Sequence, residues 1–326
     1  MASPSWPLML SLGLLGLGLL VLLLLLRELA RVAFAKVPER AQECLIGANA
    51  PELQTSIPRI IWSYWEPGAP PPLIQQCLQN WRDQAPDHEL RLLNRRSLLQ
   101  WIDADSLAAG FDGLPAYRQA DWLRVQLLAR HGGIWMDAST VLCRDLSWVH
   151  EQRARTQAEY IGFYLDSSST RPALPLIENW FMAAVPASPF VVALAQAFDE
   201  VLALGAEANL QRLREQGRLE RVAQNLTPDF QCYLLMHMAA SDLLDLAPEQ
   251  YRLSLLRAED SALGFHAAVG WRKRHLFARL ALMPCPARLP VLIKLRGNDR
   301  RVVEQGLAKG RWIRSSALAR LLKLTR

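Results

Sequence analysis

The chain has 326 residues, 51% hydrophobic and 21% charged, with 37 Lys and Arg against 31 Asp and Glu for a formal net charge of +6. So apolar a composition excludes a disordered chain. Five scattered cysteines (Cys44, Cys77, Cys143, Cys232 and Cys285), with no CxxC pair, exclude a disulfide scaffold and a zinc finger.

Leu8 to Leu26 is an unbroken run of Leu, Met, Val and Gly with one Ser. As a helix it would span roughly 28 Å, close to the hydrocarbon thickness of a bilayer. A cleaved signal peptide fits poorly, because no basic region precedes the run and no A-x-A-like site closes it. Arg27, Arg31, Lys36 and Arg40 come after the run and none precedes it, so positive-inside logic places the body in the cytoplasm. The expectation is a single-pass protein of the inner or plasma membrane with its anchor at 1–27, a linker at 28–56 and a cytoplasmic body.

Pro58 to Trp65 is a β-prone run stopped by Glu66-Pro67-Gly68. Leu73 to Gln84 has helical spacing of Ile74, Cys77, Leu78 and Trp81, and His88 to Leu93 resembles a second strand. This is the start of a βαβ pattern, and the fold class expected is α/β with a mostly parallel central sheet. Ala116 to Arg130 reads as a helix ended by His131-Gly132-Gly133. Ile134-Trp135-Met136 then reads as a short buried strand with Asp137 at its end, and Tyr160 to Leu165 as another strand. The stretches 188–204, 206–223 and 228–246 read as helices. From Trp271 to Arg326 there are 15 Lys and Arg against Asp299 and Glu304, a local +13. That basic end could rest on anionic head groups, with Ala317 to Leu324 as a short interfacial helix on the tail 298–326. Nothing resembles a nucleic-acid recognition fold, and no nucleic-acid partner is expected.

The chemistry concentrates in Ala120-Asp121-Trp122-Leu123-Arg124 and in Gly132-Gly133-Ile134-Trp135-Met136-Asp137-Ala138-Ser139-Thr140. Asp121 and Arg124 are three apart and project from one helix face, which by itself is also the pattern of a surface ion pair. Asp137 ends a buried strand, where open α/β sheets place their ligands. A carboxylate there can bind a divalent cation or a ribose hydroxyl, and an arginine beside it can hold phosphate or sugar oxygens.

With Ile57-Pro58-Arg59-Ile60-Ile61-Trp62-Ser63-Tyr64-Trp65 before them and Asn179-Trp180-Phe181-Met182-Ala183-Ala184 after them, these segments resemble the capsular polysaccharide synthesis protein family. That family is related to glycosyltransferases bearing a DXD sugar-binding motif. The resemblance runs over roughly 57–240 and more weakly to about 297. It implies a GT-A-like nucleotide-binding domain at 57–297 that moves a sugar from a nucleotide-sugar donor to a saccharide or lipid-linked acceptor, in capsule, lipopolysaccharide or exopolysaccharide assembly, retaining anomeric configuration. Carried over, Trp62 would lie against the base, and Asp121 and Arg124 would contact the donor's sugar and phosphates. Asp137 would be the first carboxylate of the motif, near ribose and a Mn²⁺ or Mg²⁺ ion. Ser139 stands where the wider superfamily has its second Asp, which leaves fewer charges on any metal. Asp137 and Arg124 are thus the catalytic candidates, with Trp62, Asp121 and Ser139 as donor contacts.

Asp166, after the strand 160–165, and His266, a late histidine of the kind that ligates metal or phosphate in related enzymes, are candidates for the acceptor side or cleft. His237 sits in an apolar helix and reads as a core histidine. Two other functions stay open: a non-catalytic binding or scaffold component of a polysaccharide assembly complex, to which Ser139 lends weight, and a sugar-phosphate transferase.

Overall fold

The computed structural model describes residues 6–325. Leucine, a strong helix former, dominates the first element, α1 (Trp6–Ala33). Its stretch Leu10–Ala33 is long and apolar enough to cross a membrane, and none of its most apolar window is covered by the rest of the chain. The exit of α1 is fastened to the body. Val32, Ala35 and Val37 are buried, Arg279 Nε donates to the Ala35 carbonyl at 3.1 Å, and Glu28 pairs with Arg31 at 3.3 Å and with Arg272.

Among the described residues seven strands form the central sheet: β1 (Glu43–Ile46), β2 (Ile60–Tyr64), β3 (Glu89–Leu93), β4 (Gly133–Met136), β6 (Tyr160–Tyr164), β7 (Ile177–Ala184) and β8 (Leu253–Arg257). Their order is β1-β8-β6-β7-β4-β2-β3, while β5 (Thr140–Leu142) and β9 (Leu292–Lys294) pair in a separate ribbon. The expected βαβ start is present. β2 and β3 are parallel neighbours joined by α2 (Pro72–Gln84), and β4 lies parallel to β2 on its other side.

The sheet as a whole is mixed, not mostly parallel. β7 runs antiparallel to both β4 and β6, β1 runs antiparallel to β8, and β6 is parallel to β8. The reason is the link from β6 to β7, which carries only a 3₁₀ turn at Asp166–Ser168. A parallel return would need a crossover helix, so β7 comes back beside β6 in the opposite sense. The segment 28–56, expected as a linker, contributes the edge strand β1.

Helices cover both faces. On one face α3 (Ala116–His131), α5 (Pro189–Leu204) and the helix Leu235–Leu246 pack over Trp62, Trp122, Leu127, Met182 and Phe198. On the other, α2 and α4 (Ser147–Thr156) pack over Ile61, Trp81, Ile134, Phe163 and Phe181. The stretches 206–223 and 228–246 each split in two, the first at Gly217, whose φ of +64° marks the break after Ala206–Glu215.

A third cluster joins the exit of α1 to the basic C-terminal region. There Ala317–Leu321 is helical as expected, but its apolar side is not offered to lipid: Ala317, Leu318, Ala319 and Leu322 are buried against Leu280, Val303 and Trp312.

Two glycines set where β4 begins. Gly132 has φ +61° and Gly133 φ +99°, and a Cβ on Gly133 would meet the Ile60 carbonyl oxygen at 2.8 Å and Trp62 Nε1 at 3.1 Å. Side chains rarely adopt that backbone, and here the neighbours are a strand carbonyl and a buried indole. Gly133→Ala is therefore expected to cost about 1–3 kcal/mol, read as a lowered thermal midpoint of the full chain in detergent. An unchanged midpoint would mean that β2 and β4 separate easily.

Candidate active site

The parallel strands β2 and β4 point their C-terminal ends at one edge of the sheet. β7, being antiparallel, brings its N-terminal part with Asn179 to the same edge. The first half of α3 lies across that edge. Together they wall a cavity of about 510 Å³, within the range usual for small-molecule sites. Asp121, Arg124, Asp137 and Ser139 all border it. A larger hollow of about 630 Å³, lined by Lys273, Arg301 and Lys309 among others, has no carboxylate on its described walls.

Asp137 leaves β4 with its backbone N–H held by the Trp180 carbonyl at 2.9 Å. Its side chain takes bonds on both oxygens. Oδ1 accepts from Arg124 Nη2 at 3.1 Å and from Trp135 Nε1 at 3.1 Å, while Oδ2 accepts from Lys294 Nζ at 2.8 Å. Burial works to raise its carboxyl, but the charges of Lys294 and Arg124 outweigh it and hold Asp137 below the usual carboxylate range. Arg124 is almost wholly enclosed. Its Nη1 also donates to the Asn179 carbonyl at 2.8 Å and lies 3.2 Å from Asp121 Oδ1.

Asp121 in turn accepts from Asn179 Nδ2 at 3.0 Å and from Arg118 Nη1 at 3.2 Å. Burial pushes its carboxyl up, against the opposing pull of Arg124 and Arg118. The i,i+3 pair read from sequence is therefore a link in a chain of charges, Arg118–Asp121–Arg124–Asp137–Lys294, that is buried except at Asp137, which opens on the cavity, and is not a surface ion pair.

Three expected contacts lie elsewhere. Trp62 is fully buried in the core, with its indole N–H on the Gly132 carbonyl at 2.9 Å, so it cannot face a base in the cavity. The tryptophan just past the end of β2, Trp65, does border the cavity, with Arg300 lying 5.2 Å over its ring. Asp166 is on the surface away from the cavity, paired with Arg257 at 2.8 Å. His266 is buried outside the cavity, its Nε2 3.1 Å from Asp299, an acid in the first turn of the helix Gly297–Ala308. Burial lowers its imidazole despite that partner, so it fits a strut for the helix and not a cavity ligand. His237 is buried as expected, yet it borders the cavity beside Tyr233.

Lys294, Trp65, Tyr233 and Arg300 are the residues that sequence reading missed. Lys294 ends β9 opposite Thr140 of β5, and its Nζ lies 2.8 Å from Asp137 Oδ2 and 3.2 Å from Ser139 Oγ. The one hint in the sequence is a lysine inside the apolar run Val291-Leu292-Ile293-Lys294-Leu295. Ser139 Oγ itself donates to the Leu295 carbonyl at 2.8 Å.

A divalent cation at Asp137 was the expectation, and the side chains around it do not fit one. Hard cations take several oxygen ligands. Both Asp137 oxygens already hold cationic donors, and Ser139 is committed to β9 and the residue after it. Among the described residues no three His, Cys, Asp or Glu side chains come together in a metal-holding group.

Comparison with known proteins bears on the same region. The sequence pattern of the family described as capsular polysaccharide synthesis protein matches residues 36–202, just over half of the chain. Over 159 residues the chain is 29% identical to the O-glycosyltransferase braB of Annulohypoxylon truncatum, a stretch that covers 43% of this chain and 37% of that protein's length. Two solved structures resemble it more distantly. One is the UDP-bound glycosyltransferase domain from the YGT toxin, at 10% identity and a TM-score of 0.40, covering 62% of this chain and 80% of that one. The other is the PaToxG glycosyltransferase, at 12% identity and a TM-score of 0.35, covering 81% and 90% respectively.

Proposed function

The chain belongs to the capsular polysaccharide synthesis protein family, and from that premise we propose that it is a membrane-anchored glycosyltransferase that uses a nucleotide-sugar donor. The observation that carries this reading is the cavity at the C-terminal ends of β2 and β4, where Asp137, Arg124 and Asp121 meet in one charge chain. In the reaction the bond between the donor's anomeric carbon and the diphosphate breaks, an acceptor hydroxyl takes the carbon and loses its proton, and the nucleoside diphosphate departs.

Each part has a chemical counterpart in the cavity. Arg300 and Arg124 border it and offer donors to the growing charge of the leaving group. Trp65, Tyr117 and Tyr233 supply apolar faces for a base or a sugar ring, the two tyrosine rings lying 5.1 Å apart. Asp121 holds Arg124 from behind. The acceptor is a glycan or a lipid-linked saccharide, the sugar keeps its anomeric configuration, and the transferase domain of GT-A type takes in 57–297 together with the edge strand β1 and the C-terminal region that brings Arg300 to the cavity. Helix α1 anchors the chain, and the arginines after it favour a body on the cytoplasmic side.

The test is release of nucleoside diphosphate from a panel of sugar nucleotides by the full chain in detergent, with lipid extract as the source of acceptor. Release from one donor, with the sugar recovered on lipid or glycan, is the expected result. Recovery of sugar phosphate on the acceptor would replace the reading with sugar-phosphate transfer. Tight donor binding without turnover, with extract present, would assign the chain to a binding role.

A further inference from the structure

We propose that Lys294 is a built-in cation that fills the place between Asp137 and Ser139, so that this chain binds the diphosphate of its donor without a divalent metal. The inference rests on the transferase reading for the identity of the ligand. Its geometric part stands alone.

Asp137 and Ser139 are the first and third positions of the segment that resembles a DXD motif. A cation shared by these two side chains would have to sit between Asp137 Oδ2 and Ser139 Oγ. Here Lys294 Nζ is within hydrogen-bond distance of both, 2.8 Å from Asp137 Oδ2 and 3.2 Å from Ser139 Oγ. The lysine side chain is only 8% exposed, so the ammonium is not free to swing out and yield its place to an ion from solution. Its backbone is pinned as well. Lys294 pairs with Thr140 in the β5–β9 ribbon, and its N–H donates to the Ala262 carbonyl at 3.1 Å.

The replacement of an acid by Ser139 has a physical sense in this setting. A second carboxylate would leave the single charge of Lys294 facing two acids, whereas a hydroxyl accepts from the ammonium and donates its own proton to the Leu295 carbonyl. With Arg124 on the other oxygen, Asp137 is neutralised by two fixed cations. A third positive centre brought in by a metal would be repelled by both. Lys294 does not border the cavity itself. It is a positioning residue that acts through Asp137 and Ser139, and Arg124 and Arg300 face the diphosphate directly.

Two measurements on the full chain in detergent decide the matter. The first, Mn²⁺ electron paramagnetic resonance without nucleotide, does not depend on the transferase reading. The wild-type chain is expected to leave the spectrum of free Mn²⁺ unchanged. A bound ion that disappears in Asp137→Asn would overturn the inference. The second compares affinities for UDP, GDP, CDP and ADP in EDTA and in Mn²⁺. The nucleotide that binds is expected to bind equally in both, within about twofold, while Lys294→Met loses about tenfold or more in EDTA. Mn²⁺ should restore part of that loss in Lys294→Met, and Lys294→Arg should keep most of the affinity, neither of which a merely structural lysine would produce.

A tenfold loss of wild-type affinity on chelation would overturn the inference while supporting nucleotide binding. If no nucleotide binds under either condition, the donor reading fails and the resonance experiment decides the place of Lys294. Should Lys294→Met not fold, Lys294→Arg and the wild-type comparisons carry the test.

Discussion

Arg124→Ala is expected to be the most damaging single substitution in the chain, lowering both stability and activity. The guanidinium is enclosed and serves three acceptors at once: Asp137, Asp121 and the Asn179 carbonyl. Removing one member of a buried ion pair commonly costs about 3–5 kcal/mol, because the partner is left charged and unpaired. Here Arg118 still serves Asp121 and Lys294 still serves Asp137, which places the expected cost near the lower end, about 3 kcal/mol. Turnover should fall by about a thousandfold, since the same group orients Asp137 and faces the cavity. Arg124→Lys separates the two effects. An ammonium reaches one acceptor where the planar fork reaches three, so it should recover part of the stability and little of the activity. Thermal unfolding beside nucleotide release measures both, and an active, stable Arg124→Ala chain would remove this arginine from the site.

Asp137→Asn is expected to fold with a lowered thermal midpoint and to lose roughly a hundred- to a thousandfold in turnover. The amide is nearly isosteric, and its oxygen can still accept from Arg124 and Trp135. Its NH₂ group then faces Lys294, which loses its ion-pair partner. Because Asp137 sits below the usual carboxylate range, it is ionised throughout neutral pH. The stability it confers is full above that range and is lost only as pH falls through its lowered folded-state value. The pH profile of the wild type should accordingly show no acid limb near neutrality from this group. Near-wild-type turnover in Asp137→Asn would move the chemistry elsewhere in the cavity.

The parts of the fold that were legible in sequence are the local ones. β2, α2, β3, α3 and β4 each announce themselves by a periodic apolar run and a proline or glycine boundary, and the site's first three residues fall where a strand end and a helix face meet. Sheet sense was not legible, because whether β7 returns beside β6 depends on the short link between them and not on any residue within β7. The three-residue strands β5 and β9 are too brief to show a period at all.

That ribbon carries Lys294, 157 residues away from Asp137 in the chain. Only the oddity of one lysine among apolar neighbours marked it. The resemblance places Trp62 against the base, but Trp62 sits within β2, packed into the interior, while Trp65, just after the strand, borders the cavity. The C-terminal segment was read by its charge, yet its alanines and leucines found protein to pack on before they could meet lipid.

The grip on the exit of α1 has a consequence for how an acceptor would be met. A catalytic body on a loose tether sweeps a hemisphere, and its cavity samples every height within reach. Here Val32, Ala35 and Val37 are built into the body, and Glu28 is paired to Arg272. If α1 spans a bilayer, the mouth of the cavity keeps one altitude and one heading relative to the membrane plane. For a membrane-anchored transferase the encounter would then be a search in two dimensions at a set elevation, and the chain would act as a gauge: an acceptor whose reactive hydroxyl stood too close to the lipid or too far above it would pass by unmodified.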